Sequence, residues 1–151
     1  MKPALLNRFI HRWGSIVMAI PIGIILVTGV ILQLKKEVAW IQPPTQKGST
    51  QELNITFDQV LESAKTIPQA QISGWDDIDR LDVRPSKGIL KVRSKNRWEI
   101  QIDTKTAEVV QVAYRRSDLI ESIHDGSFFH DNVKLLLFLP VGIILLILWL
   151  T

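Results

Sequence analysis

Two apolar runs frame the sequence. The first contains 21 uncharged residues, from Gly14 to Leu34, and the second contains 17, from Leu135 to Thr151. At about 1.5 Å per residue, the first run is roughly 31 Å long and matches a hydrocarbon core of about 30 Å, while the second reaches the lower limit for a span. A chain of this size has too little interior to bury both runs, so the pattern predicts two transmembrane helices, 14–34 and 135–151.

Between the two runs, the pattern changes to the short segments of a small α+β domain. Residues 56–64 have the apolar spacing of a helix, with Thr56 as its N-cap and Pro68 beyond its end. The interval 41–51 is rich in Pro, Gly and Ser, which is typical of a linker, and 118–124 predicts a short return helix. Alternation of apolar and polar residues predicts four strands of an antiparallel meander: 81–84, 89–93, 98–103 and 109–114.

The predicted fold class is therefore an α+β membrane protein, with two transmembrane helices flanking a small extracytoplasmic domain. The first run is longer than the apolar core of a signal peptide, and no small-x-small cleavage site follows it, so an uncleaved anchor is favoured. The predicted segments are a cytoplasmic tail 1–13, a first span 14–34, a linker 35–52, a folded domain 53–130 and a second span 135–151.

Charged and aromatic residues beside the runs predict the orientation. Lys2, Arg8 and Arg12 precede the first run without any acidic residue, which places the N-terminus in the cytoplasm. Lys35 and Lys36, on the far side, oppose this bias. The predicted interfacial anchors are Trp13, Trp40 and Trp149.

Composition excludes several classes of function. Of 18 basic and 15 acidic residues, all the acidic ones and 15 basic ones lie between Lys35 and Lys134, so the net charge of +3 comes from the N-terminal tail. This distribution does not predict a nucleic-acid partner. The absence of cysteine excludes disulfides, thiolate metal sites, iron–sulfur clusters and covalently attached c-type haem.

Small residues in the runs predict helix packing. Ser15, Ala19 and Gly23 recur every four residues on one face of the first run. A Pro-x-Gly sequence occurs in both runs, at Pro21 and again before Gly142. Such positions let another helix approach closely in lipid, so Ser15, Ala19, Gly23 and Gly142 are the candidate packing residues and integral membrane subunits are the expected partners.

Particular residues resemble the PepSY domain and the PepSY-associated transmembrane family. The residues that resemble the PepSY domain are the helix introduced by Thr56-Phe57 and the strand pair that starts with Trp98-Glu99-Ile100-Gln101-Ile102-Asp103. The motifs that resemble the transmembrane family are His11-Arg12-Trp13-Gly14, Thr28-Gly29 and Ile123-His124-Asp125-Gly126. The resemblance extends over nearly the whole chain, although larger members commonly have four spans. It implies a bacterial inner-membrane protein with a periplasmic domain.

The resemblance also implies a haem alternative. Larger members resemble haem-containing reductases of ferric-siderophore uptake, and the positions matching their haem-ligating histidines are His11 and His124. These two lie at opposite ends of a predicted span, roughly 30 Å apart. His124 and His130 are about 240° apart around a continuous helix. Haem would therefore need a dimer or a partner's helix. Otherwise His11 lies at the headgroups, and His124 at a helix C-terminus, where a cation suits the dipole.

No catalytic motif occurs, so we expect a non-catalytic accessory subunit of a larger membrane complex, without a cofactor. The alternatives are a haem-binding electron-transfer protein linked to ferric iron reduction and, as the family name implies, a peptidase-binding domain. We expect no metal site, because the carboxylates at 76–82 are typical of a solvated loop. Lys91, Arg93 and Lys95 share one strand face, which we expect to be solvated, and the alternative is a contact with a partner or a lipid headgroup.

Overall fold

The computed structural model describes the backbone of residues 3–150 and the side chains of residues 8, 9, 11–16, 18–130 and 132–146. The chain forms two compact units. The helical unit consists of Met1–Leu34 and Leu119–Thr151, and the sheet unit consists of Lys35–Asp118.

The sheet unit contains a four-stranded antiparallel sheet. Its strands are β1 (Ile78–Arg84), β2 (Ile89–Ser94), β3 (Trp98–Asp103) and β4 (Val109–Tyr114), and each pairs with the next one along the chain. The α+β class and the predicted meander are confirmed. Only β1 differs appreciably from its predicted bounds, because it begins three residues earlier.

One face of this sheet carries the hydrophobic core. Side chains of β2 and β3 pack there against helix α2 (Phe57–Lys65), which contributes Val60 and Ala64. Thr56 caps α2 as predicted, and it forms a capping box with Gln59. Each large aliphatic side chain buried here stabilises the fold by about 1.5–3 kcal/mol. The strand residues of the core are Leu90, Val92, Ile100 and Ile102.

The opposite face is polar and is also buried. Gln101 and Glu99 on β3 are 0% and 1% exposed, and Lys91 on β2 is 2% exposed. The prediction of a solvated basic face is therefore wrong for Lys91. Alternation along a strand identifies which residues share a face, but it does not reveal whether another segment covers that face.

The segment predicted as a linker covers this polar face. The backbone N–H of Gln46 donates to Oε1 of Gln101 at 2.8 Å, and Nε2 of Gln101 donates to the Pro44 carbonyl at 2.9 Å. Further along, Gly48 N–H donates to the Lys87 carbonyl at 2.8 Å. The segment is therefore part of the folded sheet unit and not a free linker.

Two glycines permit this close contact. A Cβ added at Gly48 would lie 2.1 Å from the Gly88 carbonyl oxygen. Gly88 itself has a φ of +65°, and a Cβ there would lie 1.6 Å from the Thr50 carbonyl oxygen. Side chains at either position would therefore separate the covering segment from the sheet.

The helical unit contains a long first helix, α1 (Pro3–Gln33), with Pro21 inside it. The C-terminal part begins within α3 (Arg116–His124), which corresponds to the predicted return helix. A single turn, α4 (Asp131–Val133), then leads through the π-helical segment Lys134–Phe138 into α5 (Leu139–Leu150).

Among the described residues, one helix is long and apolar enough to cross a membrane, over His11–Gln33. Only 12% of its most apolar window is buried within the chain. The apolar stretch Lys134–Leu146 is shorter than this criterion requires, so the second span at 135–151 stays a prediction.

We predict that Asp103→Asn destabilises the sheet unit. Burial opposes ionisation of Asp103, but backbone N–H groups of Ser49, Lys105 and Thr106 donate to the carboxylate and lower its pKa to about 2. Because this pKa lies below its usual value of 3.8, the stabilisation is complete above about pH 4 and disappears as the pH falls toward 2.

The measurement is the urea midpoint of the full chain, followed by circular dichroism at neutral and acidic pH. Asp103→Asn should lose about 1–3 kcal/mol at pH 7, and its difference from the wild type should shrink at acidic pH. Asp76→Asn, at an exposed position, is the control. A constant difference at all pH values would contradict the assignment.

Candidate functional site

Two motifs singled out in the sequence lie together in the helical unit. The side chain of His124, at the end of α3, lies beside Thr28 of α1, with Nδ1 and Oγ1 2.9 Å apart. The ring also lies against Gly29, since a Cβ added there would be 3.4 Å from Cε1 of His124. The Thr28-Gly29 pair therefore forms the surface on which the imidazole rests.

Hydrogen bonding determines which nitrogen of His124 carries the proton. Thr28 Oγ1 donates its single hydrogen to the Ile24 carbonyl, one turn earlier in α1. The hydroxyl can then only accept from His124, so in the neutral imidazole Nδ1 carries the hydrogen and Nε2 keeps its lone pair. This is the arrangement found in metal-bound histidines, where one nitrogen is oriented by a hydrogen bond and the other one ligates.

The turn after His124 is held by two further interactions. Gly126 has a φ of +83°, and a Cβ there would lie 2.5 Å from the Phe138 ring, so only glycine fits. Asp125 forms an ion pair with Lys134 at 2.8 Å. Burial opposes ionisation of Asp125, but hydrogen bonds from Lys134 and Ser127 lower its pKa to about 2.

His11 lies elsewhere in the helical unit. It lines an apolar groove of about 340 Å³ together with residues of α1 and α5, among them Ser15, Ile22 and Val141. His11 and Thr28 are 17 residues apart on α1, about 25 Å along the axis. Because His124 contacts Thr28, His11 and His124 of one chain cannot bind the same iron.

The third histidine has a structural role. Nδ1 of His130 accepts a hydrogen bond from the Asn132 backbone N–H at 3.1 Å, so His130 caps α4. A single chain could therefore offer one haem iron either His11 or His124 but not both, and a second axial ligand would come from another chain. No cluster of three or more metal-ligating side chains occurs among the described residues.

The small residues predicted to pack against another helix have few neighbours among the described residues. A Cβ added at Gly23 or Gly142 has no neighbour within 4 Å. Ala19 is exposed, and Ser15 donates to the His11 carbonyl at 2.7 Å within α1. Within the described part of the helical unit, the space next to Gly23 and Gly142 is therefore open, and the side chain of Ala19 is exposed.

The predicted anchors Trp13 and Trp40 are 51% and 61% exposed. The ring centroids of Trp13 and Phe9 are 6.3 Å apart, and Cζ of Arg116 lies 4.6 Å from the ring centroid of Trp40. Trp149 lies outside the residues whose side chains the structure describes.

A buried charge cluster that no sequence motif indicated lies in the sheet unit. Oε1 of Glu99 lies 3.0 Å from Nζ of Lys91, and its Oε2 lies 2.6 Å from Nη1 of Arg115. Arg115 also pairs with Asp118 at 3.1 Å. The signal in the sequence was the presence of Lys91 and Glu99 on neighbouring strands at positions that share a face.

No protein family model, no curated protein and no solved structure matches the chain. The resemblance to PepSY proteins stays a prediction.

We predict that Glu99→Gln strongly destabilises the sheet unit. The change leaves Lys91 and Arg115 buried beside a neutral amide, and loss of one partner from a buried ion pair costs about 3–5 kcal/mol. Urea unfolding of the full chain measures the loss. Glu108→Gln, at an exposed position before β4, should change stability by less than about 0.5 kcal/mol. Equal stability of the two variants would show that Glu99 is not the centre of the cluster.

Proposed function

We propose that this protein is a non-catalytic accessory subunit of a bacterial inner-membrane complex. In this proposal α1 and the C-terminal apolar helix dock onto other integral membrane subunits. The N-terminus is cytoplasmic and the sheet unit lies on the periplasmic side. The orientation rests on Lys2, Arg8 and Arg12 before the first apolar run.

The observation that carries the proposal is the uncovered face of α1. Ala19 and Gly23 lie on the side of the helix opposite Pro21 and Thr28, which are both buried within the helical unit. Large apolar side chains surround the two small residues and are more than half exposed: Ile16, Ile20, Leu26, Val27 and Val30.

Such a face suits a neighbouring helix in lipid. Lipid tails are as apolar as leucine, so helices associate through close van der Waals packing rather than through the hydrophobic effect. A groove of small residues between bulky ones supplies that packing, because it lets a second backbone approach. Among the residues whose side chains the structure describes, none fills it at Gly23, where an added Cβ has no neighbour within 4 Å.

We predict that Gly23→Leu releases the protein from its complex without unfolding the sheet unit. The leucine side chain would fill the groove and hold the partner helix away. Co-purification from mild detergent, with mass spectrometry of the associated subunits, measures the release, and circular dichroism checks the fold.

The matched control is Val27→Leu, which adds one methylene on the same exposed face without closing the groove. It should co-purify with the same subunits as the wild type. If Gly23→Leu kept those subunits in wild-type amounts, docking through this face would be wrong.

The second candidate function is haem binding linked to electron transfer and ferric iron reduction. The free Nε2 lone pair of His124 favours it, because Thr28 holds the imidazole in the tautomer that a ligand needs. Haem, when bound, would supply the redox chemistry, and His124 would be its one ligand from this chain.

This candidate predicts a visible absorption band in protein purified without added haem. His124→Ala should abolish the band, and His130→Ala, which removes only a helix cap, should keep it. Thr28→Val should weaken haem retention by about 10–100-fold, because an imidazole that no hydrogen bond orients binds a metal less tightly. Colourless protein that takes up no added haem would remove this candidate.

A further inference from the structure

The sheet unit contains a cavity of about 310 Å³ that is lined by basic side chains. Its buried part is formed by Lys91, Arg93 and Arg115, and its rim by Lys35, Lys36 and Lys87. Arg84 also lines the rim, where Asp82 pairs with it at 2.7 Å. No carboxylate lines the cavity.

The charges around this cavity do not balance. Four of its seven cations, Arg84, Lys91, Arg93 and Arg115, lie within 4 Å of three carboxylates among the described residues, namely Asp82, Glu99 and Asp118. The excess is four positive charges. No described side chain forms an ion pair with Lys35, Lys36 or Lys87, so the excess lies mostly at the rim.

Arg93 has the least satisfied side chain in the buried part. Its side chain is 14% exposed, and Nε lies 3.9 Å from Oε2 of Glu99, too far for a hydrogen bond. Nε is buried and has no hydrogen-bond partner among the described residues. Burial and the neighbouring charge of Arg115 lower the pKa of Arg93. An unpaired buried donor of this kind is costly unless a ligand satisfies it.

We propose that this cavity binds a phosphate-bearing anion through Arg93. A guanidinium presents a planar pair of donors that matches two oxygens of one phosphate group. The lysines at the rim add positive charge on flexible side chains, which can adjust to a group that carries one or two negative charges. The volume lies at the lower end of the range for small-molecule sites.

Two sources could supply this phosphate, a free anion or the headgroup of an anionic lipid. Lys35 and Lys36 follow the last residue of α1 by two and three positions. If α1 spans a membrane, as the proposed function holds, these lysines lie at headgroup depth. That placement would also explain why they oppose the charge bias of the N-terminal tail. The free-anion source does not depend on the proposed function.

The test uses the full chain in neutral detergent and isothermal titration calorimetry. The ligands are inorganic phosphate, short-chain phosphatidylglycerol and, as the zwitterionic reference, short-chain phosphatidylcholine. Arg93→Gln should weaken binding by about tenfold or more, the size of one lost hydrogen bond to a charged group. Lys87→Gln, an exposed change that spares the fold, should weaken it by a smaller factor. Lys105→Gln, an exposed lysine outside the cavity, is the matched control.

Each outcome bears on the proposal. Binding of inorganic phosphate that Arg93→Gln weakens supports a free anion as the ligand. Binding of phosphatidylglycerol alone, with the same dependence on Arg93, supports a lipid headgroup. The proposal is overturned if neither ligand binds, if phosphatidylcholine binds equally well, or if Lys105→Gln has the same effect as Arg93→Gln. None of these results depends on whether Gly23→Leu releases a partner.

Discussion

The sheet unit depends on one buried carboxylate. Glu99 accepts from Lys91 and Arg115 and also from Gln101 Nε2 at 2.8 Å, so it neutralises charge that the covering segment would otherwise bury uncompensated. Gln101 in turn donates to the Pro44 carbonyl of that segment. The same side chains thus hold both the strands and their cover. A buried ion pair offsets its own desolvation only with good geometry, and the hydrogen bonds from Lys91, Arg115 and Gln101 supply that geometry at Glu99.

Local patterns in the sequence were enough to predict the strands. Alternation of apolar and polar residues identified β2, β3 and β4 to within one residue, and the Thr56 cap identified α2, because these signals act over a few neighbours. The cover over the polar face could not be predicted in this way. Its hydrogen bonds to Gln101 join residues 55 and 57 positions apart, and no periodicity records such pairs.

The histidine site lies between these two cases. The motifs around Thr28 and His124 were recognised as separate features of the sequence, but the 2.9 Å contact between them joins residues 96 positions apart. The hydroxyl's own bond to Ile24 is local, since a threonine in a helix commonly donates to the carbonyl one turn earlier. Only the two together determine the tautomer, so the free nitrogen follows from geometry and not from either motif.

The amino-acid composition does not reveal where the charges of this chain lie in the fold. Acidic and basic residues are equal in number between Lys35 and Lys134, which suggests a neutral domain. Yet Glu99 is buried under cations, and other carboxylates, such as Asp76 and Asp79, lie exposed in a different part of the sheet unit. A carboxylate in water screens a distant lysine weakly, because exposed charges more than a Debye length of about 8–10 Å apart interact little. Neutral composition is therefore compatible with a strongly basic cavity, and the local excess decides which ligand the cavity attracts.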